Sequence, residues 1–181
     1  MIPAPLEMQN NEYVLASWTD RPYGETGKLD AASVHDGGQI AVRVRWASQS
    51  ANTGAGEGFS DAIAMALPVR TAPALHSMGS PEEPLHFLQW MARRNTIRSV
   101  LAEGIGSSRT AASVAEAVRS GWSAGTWTVV FSRALKAGAE LSSLAAGTMT
   151  TIGFAVWNGG NEERAGIKAV SAEWLDLRLD P

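Results

Sequence analysis

Gln39-Ile40-Ala41-Val42-Arg43-Val44-Arg45-Trp46 decides the fold class of this chain. Ile40, Val42, Val44 and Trp46 alternate with Gln39, Arg43 and Arg45, a period of two that turns one row of side chains into a core and the other into water. Residues 127–133, 152–157 and 13–18 are each rich in β-branched or aromatic residues and predict further strands. At the far end Leu175, Leu177 and Leu179 alternate with Asp176 and Arg178, which predicts a half-buried closing strand over 174–179. Between these runs stand the turn signals Asp36-Gly37-Gly38, Gly54-Ala55-Gly56-Glu57-Gly58, Gly104-Ile105-Gly106, Gly121, Gly125, Gly138 and Asn158-Gly159-Gly160. Short strands joined by glycine turns build a sandwich or a barrel. The alanine-rich residues 61–67 read as one more strand, whereas residues 110–119 place Val114, Ala115 and Val118 at helical spacing and fit either a short helix or a meandering loop.

The 181 residues suffice for one substantial core and predict a single domain over 1–181. With 45% apolar and 18% charged residues, the composition is that of a globular protein. A net charge of -3 with scattered Arg and Lys leaves no basic stripe for nucleic acid. The longest apolar runs, such as Ala62 to Val69, fall far short of the roughly 20 residues that span a bilayer. The absence of cysteine removes disulfides, thiolate zinc sites, iron–sulfur ligation and covalent haem attachment together. Met1-Ile2-Pro3-Ala4-Pro5-Leu6-Glu7 lacks the basic and then apolar regions of a secretory signal, which fits either a cytoplasmic protein or one whose signal has been removed.

Few residues carry chemistry. Lys168 is a lone cation between Ile167 and Ala169-Val170, so it either reaches water along its own stem or has lost its proton and offers a lone pair. Met78, in Leu75-His76-Ser77-Met78-Gly79-Ser80-Pro81, is either a gap-filler beneath a loop or a soft ligand for iron. Met65 and Met91 lie among apolar runs and read as core. His35, His76 and His86 show no metal-motif spacing and read as loop or strand-edge residues, with His76 set apart by its nearness to Met78. No G-x-S-x-G is present, Gly104-Ile105-Gly106 lacks the third glycine of a phosphate loop, and Asp61, Glu103, Glu173 and Asp176 are scattered acids.

The segments Val34-His35-Asp36-Gly37-Gly38, Ile40 to Trp46, Phe59-Ser60-Asp61-Ala62-Ile63-Ala64 and Met78-Gly79 have an ordered continuation in Ala102-Glu103-Gly104-Ile105-Gly106, residues 125–135, Phe154-Ala155-Val156-Trp157-Asn158-Gly159 and Ile167-Lys168-Ala169-Val170-Ser171. Together, from about Val34 to Leu179, they resemble the haem b-binding γ subunits of ethylbenzene dehydrogenase, dimethylsulfide dehydrogenase and the chlorate and selenate reductases. One departure is Ala47-Ser48-Gln49-Ser50, where the family usually continues with an acidic residue after the tryptophan.

The resemblance implies a mainly β fold, an antiparallel β-sandwich of immunoglobulin-like or cytochrome-domain-like form with a few short helices. It implies one non-covalent haem b with Met78 and Lys168 as the two axial metal ligands, Lys168 being neutral when it coordinates. By position, Phe131, Phe154 and Trp157 on the core strands, His76 and Ser77 beside the methionine and Ile167 beside the lysine are expected around the porphyrin. The implied role is electron transfer, with an iron–sulfur β subunit and a molybdenum α subunit as partners in a heterotrimer, a soluble c-type cytochrome as external partner, and a periplasmic location. Two alternatives stand beside it: a haemless sandwich that binds carbohydrate or protein on exposed tryptophans, and a free-standing b-type cytochrome.

Overall fold

The computed structural model describes residues 1–9, 11–54 and 58–181; Ala55-Gly56-Glu57, the centre of one expected glycine turn, lie outside the described residues. In chain order the elements are β1 (Ile2–Pro3), α1 (Glu12–Trp18), β2 (Asp30–His35), β3 (Gln39–Ala47), β4 (Ala62–Pro68), β5 (Leu85–Met91), β6 (Thr96–Ala102), β7 (Ser108–Thr110), β8 (Ala117–Ser123), β9 (Thr126–Ala134), β10 (Met149–Trp157), β11 (Ala169–Val170) and β12 (Leu175–Arg178). The larger sheet runs β1-β11-β10-β4-β5-β6-β7, with β12 also paired to β10, and the smaller runs β2-β3-β9-β8. Every pairing is antiparallel. Two separate sheets make a sandwich and decide against the barrel.

The alternation read at Ile40 to Trp46 is what joins them. Ile40, Val42, Val44 and Trp46 of β3 and Trp127, Val129 and Phe131 of β9 face Ile63, Met65, Leu67, Leu88, Trp90, Leu101 and Val156 of the larger sheet in one buried cluster. At its centre Trp90 crosses Trp127 at 5.0 Å between ring centroids, and Trp46 stacks on Trp127 at 6.2 Å. Such aromatic pairs contribute about 0.5–1.5 kcal/mol each beyond the area they bury. The Trp127 indole N–H donates to Asp61 Oδ2 at 2.7 Å. Asp61, 1% exposed, also accepts from Asn52 N, Asn52 Nδ2, Ser48 Oγ and Gly159 N. This buried carboxylate therefore ties the 48–52 loop, β9 and the 159–161 turn to the start of β4.

Four expectations change or are resolved. Residues 13–18 form the helix α1, because Asn11 caps it by accepting from Val14 N at 3.1 Å and Tyr13, 78% exposed, has no facing strand to cover it. Residues 110–119 resolve into the end of β7, a turn and the start of β8. Glu116 accepts there from Ser113 Oγ and Val114 N, and Ala115 takes a positive φ of 53° that no helix tolerates. In the closing strand Leu177 and Leu179 are buried but Leu175 is 47% exposed. His86 is not at an edge: it sits in β5, fully buried, with Nε2 and Ser99 Oγ 2.9 Å apart. No helix among the described residues is long and apolar enough to cross a membrane, a statement that does not extend to strands.

Candidate functional site

β4 reads Ala62-Ile63-Ala64-Met65-Ala66-Leu67-Pro68 and is buried throughout. The large residues Ile63, Met65 and Leu67 enter the core between the sheets. The alanines turn to the opposite face, where they join Ala102, Ala155, Phe87 and Trp157 in a second apolar cluster. Period-two alternation of large and small side chains thus hollows the outer face of the larger sheet. Cross-strand register sets Val170, Ala155, Ala64, Gln89 and Arg98 in one row across that face, and Gly153, Ala66, Phe87 and Val100 in the next. Over this floor lies a cavity of about 520 Å³, well within the range of small-molecule and cofactor pockets. The N-terminal segment roofs it with Ala4, Pro5, Met8, Gln9 and Val14, and the Gly104-Ile105-Gly106 turn closes one side.

Met78 enters from the end of the floor where β5 begins and β6 ends. It follows a 3₁₀ turn, Leu75–Ser77, in the left-handed conformation at φ 61°, and Gly79 follows at φ 83°. A left-handed methionine costs of order 1 kcal/mol or more and is held only where its surroundings over-determine it. Here the Gly104 N–H donates to Met78 O at 3.1 Å. A Cβ at Gly79 would lie 2.8 Å from Glu83 O and 2.9 Å from Ala102 O, so only glycine lets the turn approach the sheet this closely.

Lys168 enters from the opposite end. Its carbonyl accepts from Ala4 N at 2.9 Å, and the following Ala169 pairs with Val156. The side chain passes over Trp157, Nζ 5.3 Å from the ring centroid, while Trp157 Nε1 donates to Ala165 O and fixes the preceding loop. Nζ lies 3.9 Å from Met78 Sδ and 3.4 Å from Ala165 O. Among the described residues no carboxylate pairs with Lys168 and none lines the cavity. Burial alone lowers its pKa from 10.5 to about 8. A thioether and an amine that gives up its proton readily, facing each other in a largely apolar cavity, form a donor set suited to a soft or borderline metal.

Five of the residues expected from sequence border this cavity, Met78, Lys168, His76, Phe154 and Trp157, although Phe154, cross-strand from Met65, belongs with the core between the sheets. Three do not. Phe131 is on the other sheet, its side chain fully buried in the core between the sheets. Ser77 turns back on its own turn, its Oγ donating to Ala74 O and accepting from Gly79 N. Ile167, buried just before β11, lines instead a smaller hollow beside α1. Missed from sequence were the alanine floor, Phe87, Gln89 and Arg98, and the N-terminal roof. The alanines of β4 carried a signal, since their alternation with Ile, Met and Leu marks a strand buried on both faces. Of the seven tryptophans only Trp122 is exposed, at 37%, so the expected tryptophan platform for carbohydrate is absent among the described residues.

The sequence pattern of the family described as ethylbenzene dehydrogenase matches residues 100–169, a stretch that contains Lys168. The chain is 37% identical over 161 residues to the chlorate reductase subunit gamma of Ideonella dechloratans, covering 85% of this chain and 66% of that one. The chain belongs to the ethylbenzene dehydrogenase γ-subunit family. This family member is also 35% identical over 162 residues, 87% of its own length and 57% of the other's, to a Haloferax mediterranei protein that carries the provisional name of respiratory nitrate reductase heme subunit. It thus spans under two thirds of the length of both curated relatives. Among solved structures, a family 9 carbohydrate binding module from Caldicellulosiruptor kristjanssonii in complex with glucose superposes with a TM-score of 0.46 at 12% identity, covering 82% of this chain and 68% of that one.

Proposed function

We propose that this chain is a single haem-binding domain that serves as an electron-transfer subunit, holding one non-covalent haem b between Met78 and Lys168. The observation that carries this reading is the approach of Lys168 Nζ to Met78 Sδ, 3.9 Å apart, inside a largely apolar cavity that no carboxylate lines among the described residues. A buried lysine with no counter-ion is costly unless its lone pair is used. The names of the relatives support it, one being a reductase γ subunit and the other a haem subunit.

When bound, the haem supplies one-electron chemistry at its iron. The chain does the rest. Met78 and Lys168 would hold the iron through a thioether and an amine, and with both donors supplied by the protein the centre would be restricted to electron transfer. Bound to the iron, the Met78 thioether would favour the ferrous state and raise the potential. Lys168 must release its proton to coordinate, and its burial supplies part of that cost in advance. The alanine floor and the N-terminal roof exclude water and lower the local dielectric, which tunes the potential further. Substrate chemistry belongs to other chains: an iron–sulfur subunit next to this one, a molybdenum subunit beyond it and a soluble c-type cytochrome outside complete the proposal, with the complex in the periplasm.

Absorption spectroscopy tests the ligands. The purified chain with haem should show a low-spin reduced spectrum that Lys168→Ala and Met78→Ala each change. Spectra and haem content unaltered in both variants would remove the assignment.

A further inference from the structure

Arg98 lines the cavity, yet among the described residues its guanidinium makes no ion pair and no hydrogen bond. It stands at the β6 end of the central row of the floor, cross-strand from Gln89 and beyond Ala64 and Ala155. Five strands at about 4.8 Å spacing place it roughly 19 Å from Val170 at the other end of that row. It also lies to the side of the line from Lys168 to Met78, which enter from opposite ends of the strands. Among the described residues Lys168 and Arg98 are thus the two full cations of the cavity, and no carboxylate lines it, in a chain of net charge -3. Lys168 is deep and buried, whereas Arg98 is exposed at the mouth. A ligand that matches this pattern has an apolar body and an anionic rim.

We infer that Arg98, with Gln89 beside it, is the carboxylate-binding end of the cavity and takes a propionate of the bound porphyrin, setting which edge of the ring faces out. The inference rests on the haem reading above. An arginine fork suits a carboxylate because it can give two parallel N–H donors. Gln89 can add one more N–H from its amide. With Arg98 exposed to water, its contribution is that of an exposed charge-assisted pair: about a 2- to 5-fold gain in affinity at low salt, smaller as salt screens it.

The test titrates the full chain, freed of haem, with iron protoporphyrin IX and with its dimethyl ester, which keeps the ring and the iron but not the anionic carboxylates. Arg98→Gln should weaken protoporphyrin binding about 2- to 5-fold, leave the dimethyl ester unchanged, and preserve the axial-ligand bands of the loaded chain. Equal affinity of both chains for protoporphyrin would overturn the role of Arg98 while leaving the axial pair in place. An equal loss for the dimethyl ester would overturn it too, as a loss of packing and not of charge. A wild-type chain that takes up neither porphyrin would overturn the anchor together with the haem reading.

Discussion

Lys168 Nζ and Met78 Sδ meet at 3.9 Å although ninety residues separate them along the chain. Each is brought in by backbone that is pinned elsewhere: Met78 by a left-handed turn held against the end of β6, Lys168 by the strand β11 and the N-terminal segment. The pair is therefore a product of the sheet's edges and not of either side chain's own preference.

Haem affinity should depend on pH through Lys168. Its pKa in the haem-free chain is about 8, so below that value coordination must first expel a proton. Affinity should rise about tenfold per pH unit up to roughly pH 8 and flatten above it. Titrations at pH 6, 7, 8 and 9 check this, and a flat profile below pH 8 would show that the amine is not a ligand.

The haem-free fold carries the opposite side of the same linkage. Because the folded pKa lies below the unfolded value of 10.5, the penalty for burying the cation is complete below about pH 8. It is relieved as pH rises toward 10.5, where the unfolded chain alone still binds the proton. Stability of the haem-free chain should increase by about 3 kcal/mol across that window. Lys168→Met should remove this slope and stabilise the haem-free chain at pH 7, as urea unfolding will show.

The alanine floor sets the room for the ligand. Ala64→Leu places a bulky side chain in the cavity without touching the inter-sheet core, so stability of the haem-free chain should move by no more than about 1 kcal/mol. Haem uptake should fall sharply. If the variant loads as well as wild type, the cavity over the central row is not where the porphyrin sits.

Asp61 should be a stability residue with no direct effect on the proposed ligands Met78 and Lys168. Asp61→Ala leaves the Trp127 N–H, Gly159 N and Asn52 donors without their buried acceptor, at an expected loss of about 3–5 kcal/mol. Chemical denaturation measures the loss. Axial-ligand bands unchanged in the folded, loaded variant would separate this role from the cofactor's.

His86 should govern the acid limb of stability. Burial first, and Arg133 second, lower its pKa from 6.5 to about 4. Between those values the unfolded chain binds a proton that the folded chain refuses, so stability should fall as pH drops from about 6.5 to 4, by about 3 kcal/mol in all. His86→Gln cannot titrate and should flatten that limb in a pH series of thermal melts.

How much of this was legible locally follows from side-chain periodicity. β3, β9, β10 and β12 announce themselves through alternation or β-branched and aromatic content, since each has a face in the core between the sheets. β5, Leu-His-Phe-Leu-Gln-Trp-Met, does not, because it is buried on both faces and loses the polar beat that marks a half-wet strand. β2 and β8 fail for the opposite reason: they are edge strands of small and polar residues with little apolar contrast. α1 was misread because a seven-residue helix with one buried residue has too short a period to outweigh its aromatic content.

By itself the sequence determined the β class and the absence of thiol chemistry, because these depend on residue type and on spacing within a few neighbours. Only the tertiary structure decided that the alanines of β4 face a cavity, that Phe131 and Ile167 turn away from it, and that Arg98 stands free at its mouth. Those facts depend on strand register and on loops that close from opposite ends of a sheet. Pairing between strands far apart in the chain has no local signature in either partner.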